Sequence, residues 1–186
     1  STGQTKDNEL GEMLREGLEV CRKTVTDIAT VIVDTGPGGT SRVRTGIAFA
    51  NGLAYGLGVP VIPVSSMELA GRDAGIRFNL PVITSVKSIK GNAYVGLFQH
   101  NELTMNYGKI EDTVPCLTED LSAFAVVGFH RKTIMELPSL QCKTIIDSEL
   151  LYGNARIFIE RYEIFRNRGL IFPEYVRPIT EQTLPE

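Results

Sequence analysis

Histidine, cysteine and basic charge are all scarce in this chain, and each scarcity removes a class of function. The two histidines, His100 and His130, stand in neither HExxH nor any other metal-binding spacing, so both read as surface or loop residues. The three cysteines, Cys21, Cys116 and Cys142, are odd in number, far apart and free of CxxC spacing. That pattern argues against a disulfide framework or a zinc knuckle and fits a reducing compartment. Lysine and arginine total 19 against 22 acidic residues, a formal net charge of -3, so the chain lacks the basic footprint of a protein that binds nucleic acid by itself. No charged start followed by an apolar core marks a secretory leader, and a cytoplasmic location is expected.

Long apolar runs are also missing. The candidate, residues 46–64, is interrupted by Asn51, Gly52, Gly56, Gly58, Pro60 and Pro63. Prolines so close together would break a spanning helix, so the stretch reads as helix, turn and buried strand.

What remains is an ordinary globular composition, 42% hydrophobic and 22% charged over 186 residues, enough for one domain or two small lobes around a hinge. Leu10, Met13, Leu14, Leu18 and Cys21 recur at helical spacing and predict an amphipathic helix over 8–22 with Asp7 or Asn8 as its cap. The β-branched run ATVIVD (29–34) predicts a buried parallel strand, followed at once by a glycine-rich loop. Residues 43–57 predict a second helix with two stripes: an apolar one of Gly46, Phe49, Ala50, Leu53 and Leu57, and a small-residue one of Thr45, Ala48, Gly52, Tyr55 and Gly56. Interior glycine costs a helix about 1 kcal/mol relative to alanine, so the second stripe implies a close neighbour, either in the same subunit or in another.

VPVIPVSS predicts a strand, with Ser65 or Ser66 capping a short helix through Ala70. LPVITSV, NAYVGLFQ and ELTMNYGKIE then read as an antiparallel meander. A short helix over 118–122, a strand over 123–129, a helical turn over 133–137, a strand over 143–146, a long helix over 148–168 and an extended tail complete the order. The alternation predicts an α/β architecture of two lobes, 1–75 and 76–186, divided within 71–79.

The loop that opens GPGGTSRVRTG fails both phosphate-binding templates. A Walker A loop would need glycine at Ser41 and lysine at Arg42, and a dinucleotide fingerprint would need glycine at Ser41. Two readings stay open: an anion site built from Gly36, Gly38, Gly39, Arg42 and Arg44, or a tight strand-to-helix turn whose arginines are solvated or paired. Asp34, Glu68, Asp73, Asp112 and Asp147 are scattered, no GxSxG elbow exists, and nothing nominates a self-sufficient active site.

Residues 36–70, GPGGTSRVRTGIAFANGLAYGLGVPVIPVSSMELA, resemble the signature of the bacterial TsaB (YeaZ) family, in which G-P-G-S-F-T-G-x-R-x-G leads to an alanine- and glycine-rich helix, a strand and V-S-S-L-E-A-L-A. The shared positions are Gly36, Pro37, Gly38, Arg44, Gly46, Gly52, Leu53, Ala54, Pro60, Val64, Ser65, Ser66 and Glu68. Weaker, collinear similarity extends to ATVIVD, GNAYVGLF and PEYVR (173–177).

The resemblance implies an actin-like (ASKHA) two-lobed fold and a noncatalytic role in installing threonylcarbamoyladenosine on tRNA. The implied partners are a TsaD-like catalytic subunit and a TsaE-like ATPase, with a homodimer when the chain is alone, tRNA met only indirectly and no membrane. The implied interface is the helix pair 8–22 and 43–57, including Leu10, Met13, Leu14, Thr45, Ala48, Gly52, Tyr55 and Gly56. No catalytic residue, metal ligand or cofactor is then expected of this chain itself, and ATP and magnesium belong to the partner complex.

Three departures from the pattern accompany the match. Gly39, Thr40, Ser41 and Arg42 replace S-F-T-G, and Lys87, Ser88 and Ile89 stand where D-A-R is usual. Nothing ahead of Ser1 corresponds to the L-A-x-D-T-S strand and its two successors, so an incomplete N-terminal lobe is expected. The alternatives are a divergent paralogue with another partner, or an ATP-binding enzyme of the same fold acting alone, for which Asp34 is the magnesium-ligand candidate. A protease reading has no residues behind it.

Overall fold

The computed structural model of the protein describes residues 10–150. Helix α1 (Leu10–Cys21) buries none of its residues. A 3-10 turn (Val25–Asp27), closed by the Thr24 amide donating to Asp27 Oδ2 at 2.8 Å, leads towards strand β1 (Val31–Gly36).

Helix α2 (Thr40–Leu57) returns the chain to β2 (Val61–Ser65), which pairs with β1 in parallel. The helix starts three residues before the expected 43, directly on the glycine loop, and ends at Gly58, whose φ of 66° suits glycine. Its buried residues are Ile47, Ala50 and Ala54, so only Ala50 of the expected apolar stripe reaches the core. Ile47 and Ala50 pack with Val33 on β1.

Helix α3 (Ser66–Phe78) is capped by Ser65, whose hydroxyl accepts the Glu68 amide. It runs well past the expected end at Ala70, through the stretch read as a lobe boundary, and packs on both sheets. The reason lies in Gly71 and Gly75. They look like helix breakers, yet a Cβ built on Gly71 would stand 2.5 Å from Phe98 Cβ, so glycine there permits close approach of the helix to the sheet.

The second sheet has the order β5-β4-β3-β6-β7, from β3 (Val82–Lys87), β4 (Ala93–Gln99), β5 (Glu102–Gly108), β6 (Ala123–Gly128) and β7 (Thr144–Asp147). The expected meander is present as antiparallel β3-β4-β5, while β6 and β7 add in parallel. Alternation along the strands divides the core by face. Val82, Ala125 and Val127 meet Ala70 and Ala74 of α3. Ile83, Phe124 and Val126 meet the opposite layer, formed by helices α4 (Ile110–Leu117) and α5 (Arg131–Met135).

The helix expected over 118–122 lies instead at α4. Ile110 and Val114, one turn apart, are buried there, and Pro115 occupies its last turn. Thr118 ends it, its hydroxyl donating back to the Val114 carbonyl at 2.9 Å. Ser148, Glu149 and Leu150 are not helical, and Glu149 has a φ of 60°, so the long helix does not start where expected. The rest of that helix and the tail with PEYVR lie outside the described residues.

Candidate functional site

The glycine loop is held by the residue that precedes it. Asp34 Oδ1 accepts the Gly36 amide at 2.9 Å and the Ser66 amide at 3.1 Å, and Ser65 donates its hydroxyl to the Gly36 carbonyl at 2.9 Å. The end of β1 is thereby tied to the start of α3. Gly36 has a φ of 97° and is joined to Pro37 by a cis peptide. Gly39 caps α2, and Arg42 falls in the helix's first turn.

This loop forms one wall of a cavity of about 490 Å3. Gly38, Gly39, Thr40 and Arg42 line it from the loop side, and Ser85 to Ile89, Tyr94 and Phe129 line it from the second sheet. Of the expected anion residues, Gly38, Gly39 and Arg42 meet there, whereas the buried Gly36 and the exposed Arg44 are not among its lining residues. Lys87 stands out in the sequence as a departure from the family pattern, though not as a neighbour of the glycine loop; Tyr94 and Phe129 carry no such signal. The Lys87 Nζ lies 5.2 Å from the centre of the Phe129 ring, a cation–π contact.

Gly128 sets how closely the end of β6 approaches Ser85, a residue of the cavity wall. Its φ is 100°, and a Cβ there would collide with the Ser85 carbonyl. Phe129 donates its amide to that carbonyl at 3.0 Å, and the His130 amide donates to Ser85 Oγ at 3.0 Å. His130 is half-buried rather than a plain surface residue, and its Nε2 has no hydrogen-bond partner among the described residues. Burial first, and the charge of Lys87 second, hold its pKa below the ordinary histidine value. His100 is exposed in the β4-β5 turn.

A second hollow, about 660 Å3, lies between α3 and that turn. Its cation, Arg72, is already engaged: the guanidinium donates to Glu68 Oε1 at 2.8 and 3.0 Å and to Asn101 at 3.2 Å. No group of three or more potential metal ligands occurs among the described residues.

The expected interface residues form a separate surface. Thr45, Ala48, Gly52, Tyr55 and Gly56 are all exposed, with Tyr55 at 92%, and a Cβ added at Gly52 or Gly56 would meet nothing within 4 Å. On α1, Leu10 and Met13 are exposed and Leu14 is half-buried. Among the described residues, nothing in the same subunit covers the small-residue stripe.

The family model described as "TsaD: tRNA N6-adenosine threonylcarbamoyltransferase" matches residues 4–110, more than half of the sequence. The chain belongs to that family. Its curated relatives carry the name tRNA threonylcarbamoyladenosine biosynthesis protein TsaB, in accord with the resemblance of residues 36–70. The Bacillus subtilis (strain 168) protein is 31% identical over 98 residues, 53% of this chain and 40% of the relative. The Escherichia coli (strain K12) protein is 28% identical over 103 residues, 55% of this chain and 45% of the relative. The chain thus matches less than half the length of these TsaB proteins.

Two solved structures share the fold. YeaZ from Pseudomonas aeruginosa superposes with a TM-score of 0.66 and 21% identity, covering 90% of this chain and 84% of that one. A crystal structure described as an uncharacterized protein with similarity to peptidase YeaZ from Pseudomonas aeruginosa gives 0.67 and 20%, covering 90% and 82%. The fold is therefore the expected actin-like one.

Against the TsaB pattern, the geometry separates two kinds of residue. Ser65, Ser66 and Glu68 keep the pattern and form the α3 cap and its ties to the loop. Arg42 and Lys87 come from the two internal segments that depart from it, and they line one cavity. Among the described residues, no helix is long and apolar enough to cross a membrane.

Proposed function

We propose that this chain is a noncatalytic partner subunit in forming threonylcarbamoyladenosine on tRNA, docking through α1 and the small-residue face of α2. The TsaB names of its relatives support the pathway. The observation that carries the docking reading is the open stripe on α2. Thr45, Ala48, Gly52, Tyr55 and Gly56 form a smooth helical face that the described residues of the subunit leave uncovered, and α1 beside it in sequence is amphipathic yet buries no residue. Short isolated helices are marginal in water, so such a helix gains stability by giving its apolar side a partner.

The partner in this reading is a TsaD-like catalytic subunit, with a second copy of this chain taking its place when the chain is alone. A TsaE-like ATPase joins the assembly, ATP and magnesium belong to that assembly, and tRNA is met only through it. For an ATP-binding enzyme acting alone the carboxylate beside the glycine loop would be Asp34, and its Oδ1 is taken up by the Gly36 and Ser66 amides.

Gly52→Leu tests the interface, because space around Gly52 lets the fold accept the side chain. Light scattering should show the wild-type chain as a dimer and the variant as a monomer with an unchanged circular dichroism spectrum. The variant should also fail to retain a TsaD-like subunit in a pull-down. An unchanged mass together with undiminished capture would refute the assignment.

A further inference from the structure

We infer that the cavity between the glycine loop and the end of β3 is a binding site for a small organic phosphate, taken up without a metal ion. Two cations line it, Arg42 and Lys87, and among the described residues neither forms an ion pair with a carboxylate. Among the described residues, no aspartate or glutamate lines the cavity. Two unneutralised cations facing one hollow favour a ligand of matching negative charge, and a phosphomonoester carries nearly two at neutral pH. Arginine adds a planar fork that meets two phosphate oxygens at once.

Size and shape point the same way. A volume of about 490 Å3 lies within the range of small-molecule sites. Beside the cations stand two large apolar side chains that the fold leaves in the open, Phe129 at 55% and Ile89 at 60% exposure. They offer an apolar contact for the organic part of the ligand. The site is also preorganised: Gly128 lets the end of β6 press against Ser85, and the Phe129 amide is bonded to the Ser85 carbonyl. Among the described residues that line the cavity, Arg42 and Lys87 are the charged ones, so it is they that meet the phosphate charge. This site is independent of the partner surface on α2.

Phenyl phosphate is the probe, titrated calorimetrically into the full chain at low ionic strength with EDTA present. Saturable binding is expected. Arg42→Ala and Lys87→Ala should each weaken it by about tenfold or more, the loss of one charge-assisted contact. Phe129→Ala should weaken phenyl phosphate and leave inorganic phosphate unchanged. Arg44→Ala removes the same charge from a residue outside the cavity and should have no effect; circular dichroism confirms that each variant is folded. Absence of saturable heat, or equal weakening by Arg44→Ala and Arg42→Ala, overturns the proposal, because diffuse attraction would then suffice.

Discussion

Asp34 and Ser66 are joined between β1 and α3: one carboxylate oxygen of Asp34 accepts the Ser66 amide at 3.1 Å and, two residues along its own strand, the Gly36 amide at 2.9 Å. The acidic residue beside the glycine turn is therefore a clamp between β1 and α3. Replacing it with alanine leaves two backbone donors without this acceptor, the Gly36 amide in a part-buried setting, and should lower stability by about 1–2 kcal/mol. An asparagine side chain keeps a carbonyl oxygen as acceptor, so Asp34→Asn should lose less than Asp34→Ala. Urea denaturation of both variants measures the difference, and equal losses would show that the amide bonds contribute nothing.

Glu68 and Arg72, one turn apart on α3, form an ion pair at 2.8 Å with only 10% and 9% of their side chains exposed. Arg72 is further held by Asn101 and lies 5.2 Å from the centre of the Phe98 ring. Removing one member of a pair this buried takes away much of what offsets the other's desolvation, a loss of up to about 3–5 kcal/mol in such sites. Arg72→Met should therefore be severe, while Glu68→Gln combined with Arg72→Met should recover part of the loss because the buried Glu68 charge is removed with its arginine. Midpoints from chemical denaturation decide it: a double variant no more stable than Arg72→Met alone contradicts this account.

Gly71 sets the distance between α3 and β4. A methyl group there would press on Phe98 at 2.5 and 2.7 Å, against the Cβ and Cγ atoms that cannot swing away. Overpacking of this kind costs about 1–3 kcal/mol. Gly71→Ala should fall in that range despite alanine's better helix propensity, whereas Gly46→Ala on α2, where nothing lies within 4 Å, should be neutral or stabilising. Thermal melts of the two variants should move in opposite directions or differ clearly in size.

The same glycines show why some of the fold was legible in the sequence and some was not. Strands such as β1 and β6 are short, largely apolar runs ended by glycine, a local pattern, and their positions emerge within a few residues. Gly71 carries opposite local and tertiary meanings: alone it weakens a helix, but opposite Phe98 it allows one to pack closely. Pro115 similarly hid α4, whose helical character comes from burying Ile110 and Val114 rather than from propensity. In the cavity, Arg42 was visible because it interrupts a recognisable loop. Lys87 was visible only as a departure from the family pattern and Phe129 not at all, since only the pairing of β3 with β6 brings their ends to the loop.

His130 gives the protein a pH dependence whose direction follows from its surroundings. Partial burial is the main cause of its lowered pKa, and the Lys87 charge the second; nearby Arg131 is paired with Asp147 at 3.0 Å. Between the folded pKa and the ordinary value of about 6.5, the unfolded chain binds more protons at this residue than the folded one, so stability rises with pH through that window. Acidification from neutrality should therefore cost stability as the pH falls through about 6.5 towards the folded pKa, and His130→Asn should flatten that part of the profile. Lys87→Ala should raise the His130 pKa only part of the way back, because burial, the larger cause, remains. Titration of the His130 ring signals by NMR in wild type and Lys87→Ala checks both statements, and full return to the ordinary value in the variant would make the charge, not burial, the dominant cause.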